Sequence, residues 1–391
     1  VLRNRAFDTV DWNTERENRC DIKTVPISSA DVYQRAARIF SMALKHGKRP
    51  QKFGWRDYWN IRWSRLPGGS VVSQYDDDKR LKASLPLEAR IKSAWFSACP
   101  MEEHEQWYVR TPSIYASTST KYEWGKVRAL YGCDVTSFLH SDFAMANCED
   151  VLPQYFPVGR AATEDNISAA MATFDETLPV CFDYDDFNSQ HSNTSMTAVL
   201  MAWRDVFRPY LSREQVMSMD WTIDSINNVT VQFNELGQQV TTRGTLMSGW
   251  RLTSFMNTVL NRIYLEHAGM KDLVVYALHN GDDMFAGARN MADAVCLIKQ
   301  AKARGIRAQV AKTNLGTIGE FLRVDTRAAQ PSAKQYLSRS IATAAHGRVE
   351  TSAPFDMCAL ISAHKERADA IITRGGNPYV VQAMLKQQLS L

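Results

Sequence analysis

The chain has 391 residues, of which 45% are hydrophobic and 23% charged, ordinary values for a folded protein with room for two or three subdomains. This composition argues against disorder over most of the length, and the apolar runs are too short and too broken for a membrane-spanning helix. A net charge of +4 says little about partners, and no N-terminal signal pattern is present. The seven cysteines (Cys20, Cys99, Cys133, Cys148, Cys181, Cys296 and Cys358) contain no CxxC pair. That spacing argues against a disulfide framework or a zinc knuckle and fits a reducing compartment. Val1 in place of Met implies a piece of a longer polypeptide.

In chain order, residues 31–46 show helical spacing (Val32, Ala36, Ile39, Phe40, Ala43), ended by Gly47 and Pro50. Residues 35–66 carry Arg35, Arg38, Lys45, Lys48, Arg49, Lys52, Arg56, Arg62 and Arg65 against one acid, Asp57. Phe40, Phe53, Trp55, Tyr58, Trp59 and Trp63 lie among them. Cations hold phosphates and aromatic faces stack on bases, so the mix suits single-stranded nucleic acid. The plainer alternative is a solvated basic helix with core aromatics. Pro67-Gly68-Gly69 predicts a loop, and Tyr75-Asp76-Asp77-Asp78, with no apolar strand leading in, predicts a solvated surface loop.

Residues 163–175 predict a helix capped by Thr163. Val180-Cys181-Phe182 after Pro179 predicts a buried strand ending at Asp183. Helices follow over 192–208, stopped by Pro209, and over 250–268, with Leu252, Phe255, Met256, Val259, Leu260 and Ile263 on one face and Gly269 at the end. Residues 273–278 predict a strand, 279–283 a tight turn and 284–286 the return strand. Residues 291–304 are helical, and the tail over 356–391 is helical apart from a break at Gly375-Gly376-Asn377-Pro378.

Three segments carry chemistry together: Phe182-Asp183-Tyr184-Asp185-Asp186-Phe187-Asn188, Ser248-Gly249-Trp250-Arg251-Leu252-Thr253-Ser254-Phe255-Met256-Asn257, and Asn280-Gly281-Asp282-Asp283. Alone, each has an ordinary reading as turn or cap residues. Jointly, apolar strands present Asp183 and Asp282 at their ends. There the carboxylates can hold two divalent cations roughly 4 Å apart, as in-line phosphoryl transfer requires. Mg²⁺ suits an all-oxygen site that keeps waters and phosphates in its shell. Thr253 and Asn257, four apart on one helix, form a polar pair that needs a partner: a ribose hydroxyl, or a capping or inter-helix bond.

The pattern D-x4-N, then S-G-x3-T-x3-N, then G-D-D resembles motifs A, B and C of viral RNA-dependent RNA polymerases. Asp186-Phe187-Asn188-Ser189-Gln190-His191 and Ser248 to Asn257 resemble the totivirus branch of double-stranded RNA viruses. Lys121 to Tyr131 resembles motif F, where Lys126 and Arg128 alternate onto one strand face and can clamp a triphosphate. Ala311-Lys312-Thr313 resembles motif D, Glu320-Phe321-Leu322-Arg323 the motif E turn that grips the primer, and Pro67-Gly68-Gly69-Ser70 weakly resembles motif G. One departure is Asn188, where many related polymerases carry Asp. Asn still donates and accepts hydrogen bonds.

The resemblance implies an α+β right hand: fingers over 1–179, a palm over 180–330 with a fingers insertion at about 210–240, and a short thumb over 331–391. It implies RNA synthesis from ribonucleoside triphosphates on an RNA template for transcription and replication. Asp183, Asp282 and Asp283 would bind two Mg²⁺ ions, with Mn²⁺ as a substitute and Asp186 as the alternative to Asp183. Lys312 would act as general acid. Lys126, Arg128, Asn188, Ser248, Gly249, Thr253 and Asn257 would meet the nucleotide, with Ser248 and Gly249 in a flexible loop. Lys121 and Arg323 would meet RNA. A capsid protein, perhaps fused, is a further implied partner, no membrane is involved, and the implied location is the interior of a viral particle in the host cytoplasm. The rivals are a reverse transcriptase, where Tyr-x-Asp-Asp is the commoner turn, and a non-catalytic, capsid-associated RNA-binding protein.

Overall fold

In the computed structural model, which describes residues 8–123, 126–174, 176–316, 319–325, 336–346 and 357–389, the chain begins with α1 (Trp12–Cys20) and α2 (Ser29–Lys45). Ser28 caps α2 through the Asp31 N–H, and the expected stripe from Val32 to Ala43 is buried. Shorter helices follow: α3 (Trp55–Ile61), α4 (Asp76–Ser84), α5 (Lys92–Ala98) and α6 (His104–Tyr108). A long hairpin of β1 (Ile114–Glu123) and β2 (Lys126–Cys133) leads into α7 (Val135–Ala144) and α8 (Glu164–Ala172), the latter capped by Thr163 as expected. Next come β3 (Leu178–Phe182), α9 (Asn193–Phe207), α10 (Arg213–Ser225), β4 (Val229–Phe233), β5 (Gln238–Thr242), α11 (Thr253–His267) and α12 (Met270–Leu273). The hairpin β6 (Val274–Asn280) and β7 (Asp283–Ala288) precedes α13 (Met291–Ala303). Two-residue strands β8 (Asn314–Leu315), β9 (Glu320–Phe321) and β10 (Val324–Asp325) lead to α14 (Leu337–His346), α15 (Met357–Thr373) and α16 (Pro378–Gln388). Among the described residues no helix is long and apolar enough to cross a membrane.

The architecture is α+β, as expected. One sheet has the order β2-β1-β4-β5, with β1 and β4 parallel and the other pairs antiparallel, so residues 229–242 join the sheet of the 114–133 hairpin. A second four-stranded sheet, β6-β7-β3-β8, is antiparallel throughout, and β9 and β10 form a separate two-stranded one. α11 packs on β6, and α13 on β3 and β7. The main core draws residues from Val25 to Ile306 into one cluster, so the N-terminal helices and the second sheet share it.

One pair of alternatives is decided, and three expectations change. The aromatics of residues 35–66 are core: Phe40, Trp55, Tyr58 and Trp59 are buried and Phe53 half-buried, leaving Trp63 exposed under the Arg62 guanidinium. Burial of the ring faces removes most of the base-stacking surface. Asp76–Asp78 open α4 rather than a solvated loop. Asp78 is 2% exposed and accepts both Arg110 Nη atoms at 2.8 Å and Ser73 Oγ at 2.6 Å. The 250–268 helix starts at Thr253, because the Trp250 N–H turns back onto the Met247 carbonyl and the Thr253 N–H onto that of Trp250. Strand pairing extends through Asn280↔Asp283, which shortens the turn to Gly281-Asp282.

Candidate active site

Register brings the acids together. β3 pairs with β7 through Phe182↔Met284, so Asp183, one residue on, leaves its strand beside Asp283. Gly281 takes φ 61°, a conformation that favours glycine, and turns the hairpin in two residues. α11 holds that turn from beneath: Gly281 N–H donates to Thr258 Oγ1 at 2.7 Å, and Asn261 Nδ2 donates to the carbonyls of Gly281 and Asp283, both at 3.1 Å. Asn261 Oδ1 in turn accepts from Tyr184 Oη and faces His279 Nδ1, both at 2.9 Å. Thr258 and Asn261 are fully buried. Their only signal in the sequence is polarity on an apolar helix, at spacings the motif pattern does not single out.

Asp183 and Asp282 line one cavity of about 580 Å³ with Lys121, Arg128, Asn188, Ser248, Asn257 and Lys312. Asp283 is exposed and is not among the residues that line this cavity. Loss of hydration to the protein atoms around it, then the like charges of Asp282, Asp183 and Glu320, push its carboxyl up to about 6, with Arg323 pulling the other way. Among the described residues no three His, Cys, Asp or Glu side chains form a ready-made metal cage. The facing donors are carboxylate oxygens in mutual repulsion, a set suited to hard cations whose shell is completed by water and phosphate. Lys312 Nζ stands 3.5 Å from Asp183 Oδ2 and is 60% exposed. Its turn is fastened to the end of β3 by Gln309 N–H to the Asp183 carbonyl at 2.8 Å. Leu322 and Arg323, both with positive φ, form the two-residue turn between β9 and β10, and Phe321 packs toward Phe285 of β7.

Asn257 Nδ2 donates to Asn188 Oδ1 at 2.9 Å, while its Oδ1 meets His191 Nε2 at 2.7 Å and His191 Nδ1 meets Tyr264 Oη at 3.1 Å. This chain leaves the Asn188 amide NH₂ available to the cavity that both asparagines line. Thr253 plays the capping part instead: its hydroxyl faces the Met247 and Trp250 carbonyls, both at 2.7 Å. It is absent from the cavity wall.

Ser248 and Gly249 are pinned rather than free. Tyr131 N–H donates to Ser248 Oγ at 3.2 Å, and Gly249 N–H donates to the Tyr131 carbonyl at 3.0 Å. A Cβ on Gly249 would lie 2.3 Å from that carbonyl oxygen, so the close approach requires glycine. Arg128 and Lys121 both bind Glu123, at 3.1 and 2.9 Å, and both line the cavity. Lys126 lies in β2, its side chain outside the described residues.

The loop that carries Ser248 and Gly249 is supported through Arg251 by acids distant in the sequence. Arg251 Nε donates to Asp142 Oδ1 at 2.7 Å and its Nη1 to Glu149 Oε1 at 2.8 Å. Asp142, 1% exposed, also accepts from Arg65 Nε at 2.7 Å and Tyr58 Oη at 3.0 Å. These partners stand about a hundred residues from Arg251, and no local pattern announces them.

Residues 1–349 match the family of viral RNA-directed RNA polymerases, and the chain belongs to that family. It is 46% identical over 389 residues to the probable RNA-directed RNA polymerase of Saccharomyces cerevisiae virus L-BC, and 38% identical over 395 residues to that of Saccharomyces cerevisiae virus L-A. Each match covers the whole of this chain and 26% of the relative, so the chain spans about a quarter of their length. The probable polymerase of Leishmania RNA virus 1 is 28% identical over 360 residues, 88% of this chain and 39% of the relative. These relatives bear out the totivirus resemblance.

Proposed function

We propose that this chain is the catalytic core of an RNA-directed RNA polymerase, joining ribonucleotides on an RNA template for transcription and replication of a viral genome. The observation that carries the reading is one cavity lined by Asp183, Asp282, Arg128, Lys312 and the Asn188–Asn257 pair. It rests on an antiparallel sheet that serves as palm (180–330), with the β1–β2 hairpin as part of the fingers (1–179) and the helices after residue 331 as thumb. Asp183 and Asp282, with Asp283 beside them, would hold two divalent cations, Mg²⁺ by donor type or Mn²⁺, which supply positive charge to the attacking and leaving oxygens.

In the reaction the primer 3′-hydroxyl oxygen forms a bond to the α-phosphorus as its proton passes to solvent water, and the bond to pyrophosphate breaks. Lys312, fastened beside Asp183, supplies a proton to the leaving pyrophosphate. Arg128 and Lys126 neutralise the triphosphate, Arg128 exchanging Glu123 for phosphate. Asn188, oriented by Asn257, reads the ribose, and Ser248 and Gly249 form the wall behind it. Lys121 and Arg323 flank the RNA path. The greater length of the relatives fits a polypeptide that also carries a capsid protein, with synthesis inside the particle. The test is extension of RNA by purified protein with Mg²⁺ and ribonucleotides. Asp282→Asn with Asp283→Asn is expected to abolish it. Persistent extension removes the proposed metal site, deoxynucleotide preference favours a reverse transcriptase, and RNA binding by wild type without incorporation favours a non-catalytic role.

A further inference from the structure

Two non-glycine residues beside the sugar-reading pair have left-handed backbone: Asp186 at φ 39° and Thr245 at φ 75°. For a β-branched residue such as Thr245 this conformation is strained and persists only where its surroundings impose it. Both residues are coupled to the pair. Asp186 lies two residues before Asn188. The Thr245 N–H donates to the His191 carbonyl at 2.9 Å, and the Leu246 N–H to the Asn188 carbonyl at 2.8 Å.

One side chain from outside every motif holds both. Arg19, in the last turn of α1, is 7% exposed. Its Nη1 donates to Thr245 Oγ1 at 2.9 Å and lies 3.4 Å from Asp186 Oδ2, while Nη2 reaches Asp186 Oδ1 at 3.5 Å. Its Nε donates to Tyr131 Oη at 3.2 Å, and that hydroxyl donates to Glu15 Oε2, one turn earlier on α1, at 2.7 Å. Tyr131 is the β2 residue whose backbone receives Ser248 and Gly249. Glu15, Asn18 and Arg19 also line the cavity that holds Asn188 and Asn257. A guanidinium suits this task because its rigid fork satisfies several acceptors at once.

We propose that Arg19 is a positioning residue for ribonucleotide selection: by holding Asp186 and Thr245 in their strained conformations against Tyr131, it sets Asn188 and Asn257 in the geometry that reads the sugar. The inference rests on the polymerase reading and extends it to α1.

The test uses Arg19→Lys, which keeps a charge in the buried site but cannot span Thr245, Asp186 and Tyr131 together. The ratio of kcat/KM for a ribonucleotide over its deoxy counterpart is expected to fall about five- to tenfold while incorporation continues. Adding Thr245→Gly, which removes the left-handed strain, is expected to restore most of that ratio. An unchanged ratio in Arg19→Lys, or no restoration in the double variant, overturns the proposal. Absence of incorporation by the wild-type protein is failure of the polymerase reading instead. The clamp is then read by amide hydrogen exchange, expected to quicken over 186–191 and 245–249 in Arg19→Lys and to slow again in the double variant. Unchanged exchange overturns it.

Discussion

Two groups of carboxylates in this molecule are treated in opposite ways. Asp142 is buried between Arg65 and Arg251, with Glu149 on the far side of Arg251. Burial alone would raise the Asp142 carboxyl, but the two guanidinium groups outweigh it and hold it below the usual range. At the end of β3 and β7, Asp183, Asp282 and Asp283 lie close enough for like charge to act on Asp283, with the exposed cation of Lys312 near Asp183 and Arg323 near Asp283, and Asp283 is pushed up. The first group is complete within the fold. The second keeps a surplus of negative charge toward a cavity, the arrangement expected where cations and substrate supply what the protein omits. Adjacent charge therefore says less about role than whether arginines already answer it.

The two groups can be separated by variants that split activity from stability. Asp183→Asn is expected to cost about a thousandfold or more in incorporation rate, several kcal/mol of barrier, with unfolding midpoint unchanged or raised because a like charge is lost. Asp142→Ala leaves two buried guanidinium groups short of a partner and is expected to lose about 3–5 kcal/mol in denaturant unfolding. If the two variants show the same balance of lost rate and lost stability, the distinction fails.

A smaller effect concerns histidines on each side of the comparison. Burial presses His140, in the core around α7, down to about 3 and His191, beside Asn257, down to about 4. Both values lie below the ordinary value near 6.5, so the unfolded chain takes up protons first as pH falls. Their contribution to stability is full above about pH 6.5 and is lost as pH drops toward 4 and 3, amounting to roughly 2 kcal/mol each by pH 5. Unfolding midpoints between pH 7 and 5 check this, and His140→Gln should flatten the curve. The smallest change is expected from Asn257→Ala, about a tenfold loss of ribose preference with incorporation retained, one hydrogen bond's worth of orientation at Asn188. Unchanged preference would remove Asn257 from sugar reading.

Much of this was legible in the sequence where chemistry is local. The apolar run into Asp183, the Gly281 turn and the α11 stripe each encode their own conformation, and together they place the acids at one sheet end. What was not legible depends on distant partners. Asp78 reads as a surface acid until Arg110, thirty-two residues on, covers it. Trp55 and Tyr58 read as stacking platforms until α7 supplies Phe143 against them. Arg19 meets Thr245 across 226 residues, and a polar nine-residue helix gives no hint of that destination. Thr253 shows the converse: its spacing from Asn257 suggested a shared target, but it sits at the first turn of α11, where loop carbonyls take its hydroxyl.

The most direct measurement is Mg²⁺-dependent incorporation of ribonucleotides on an RNA template by the wild-type protein and by Asp183→Asn, with the unfolding free energy of each measured on the same preparations. The account predicts incorporation by the wild type, its loss in the variant, and equal or greater stability of the variant. Incorporation that persists in Asp183→Asn, or that disappears only together with stability, would contradict it.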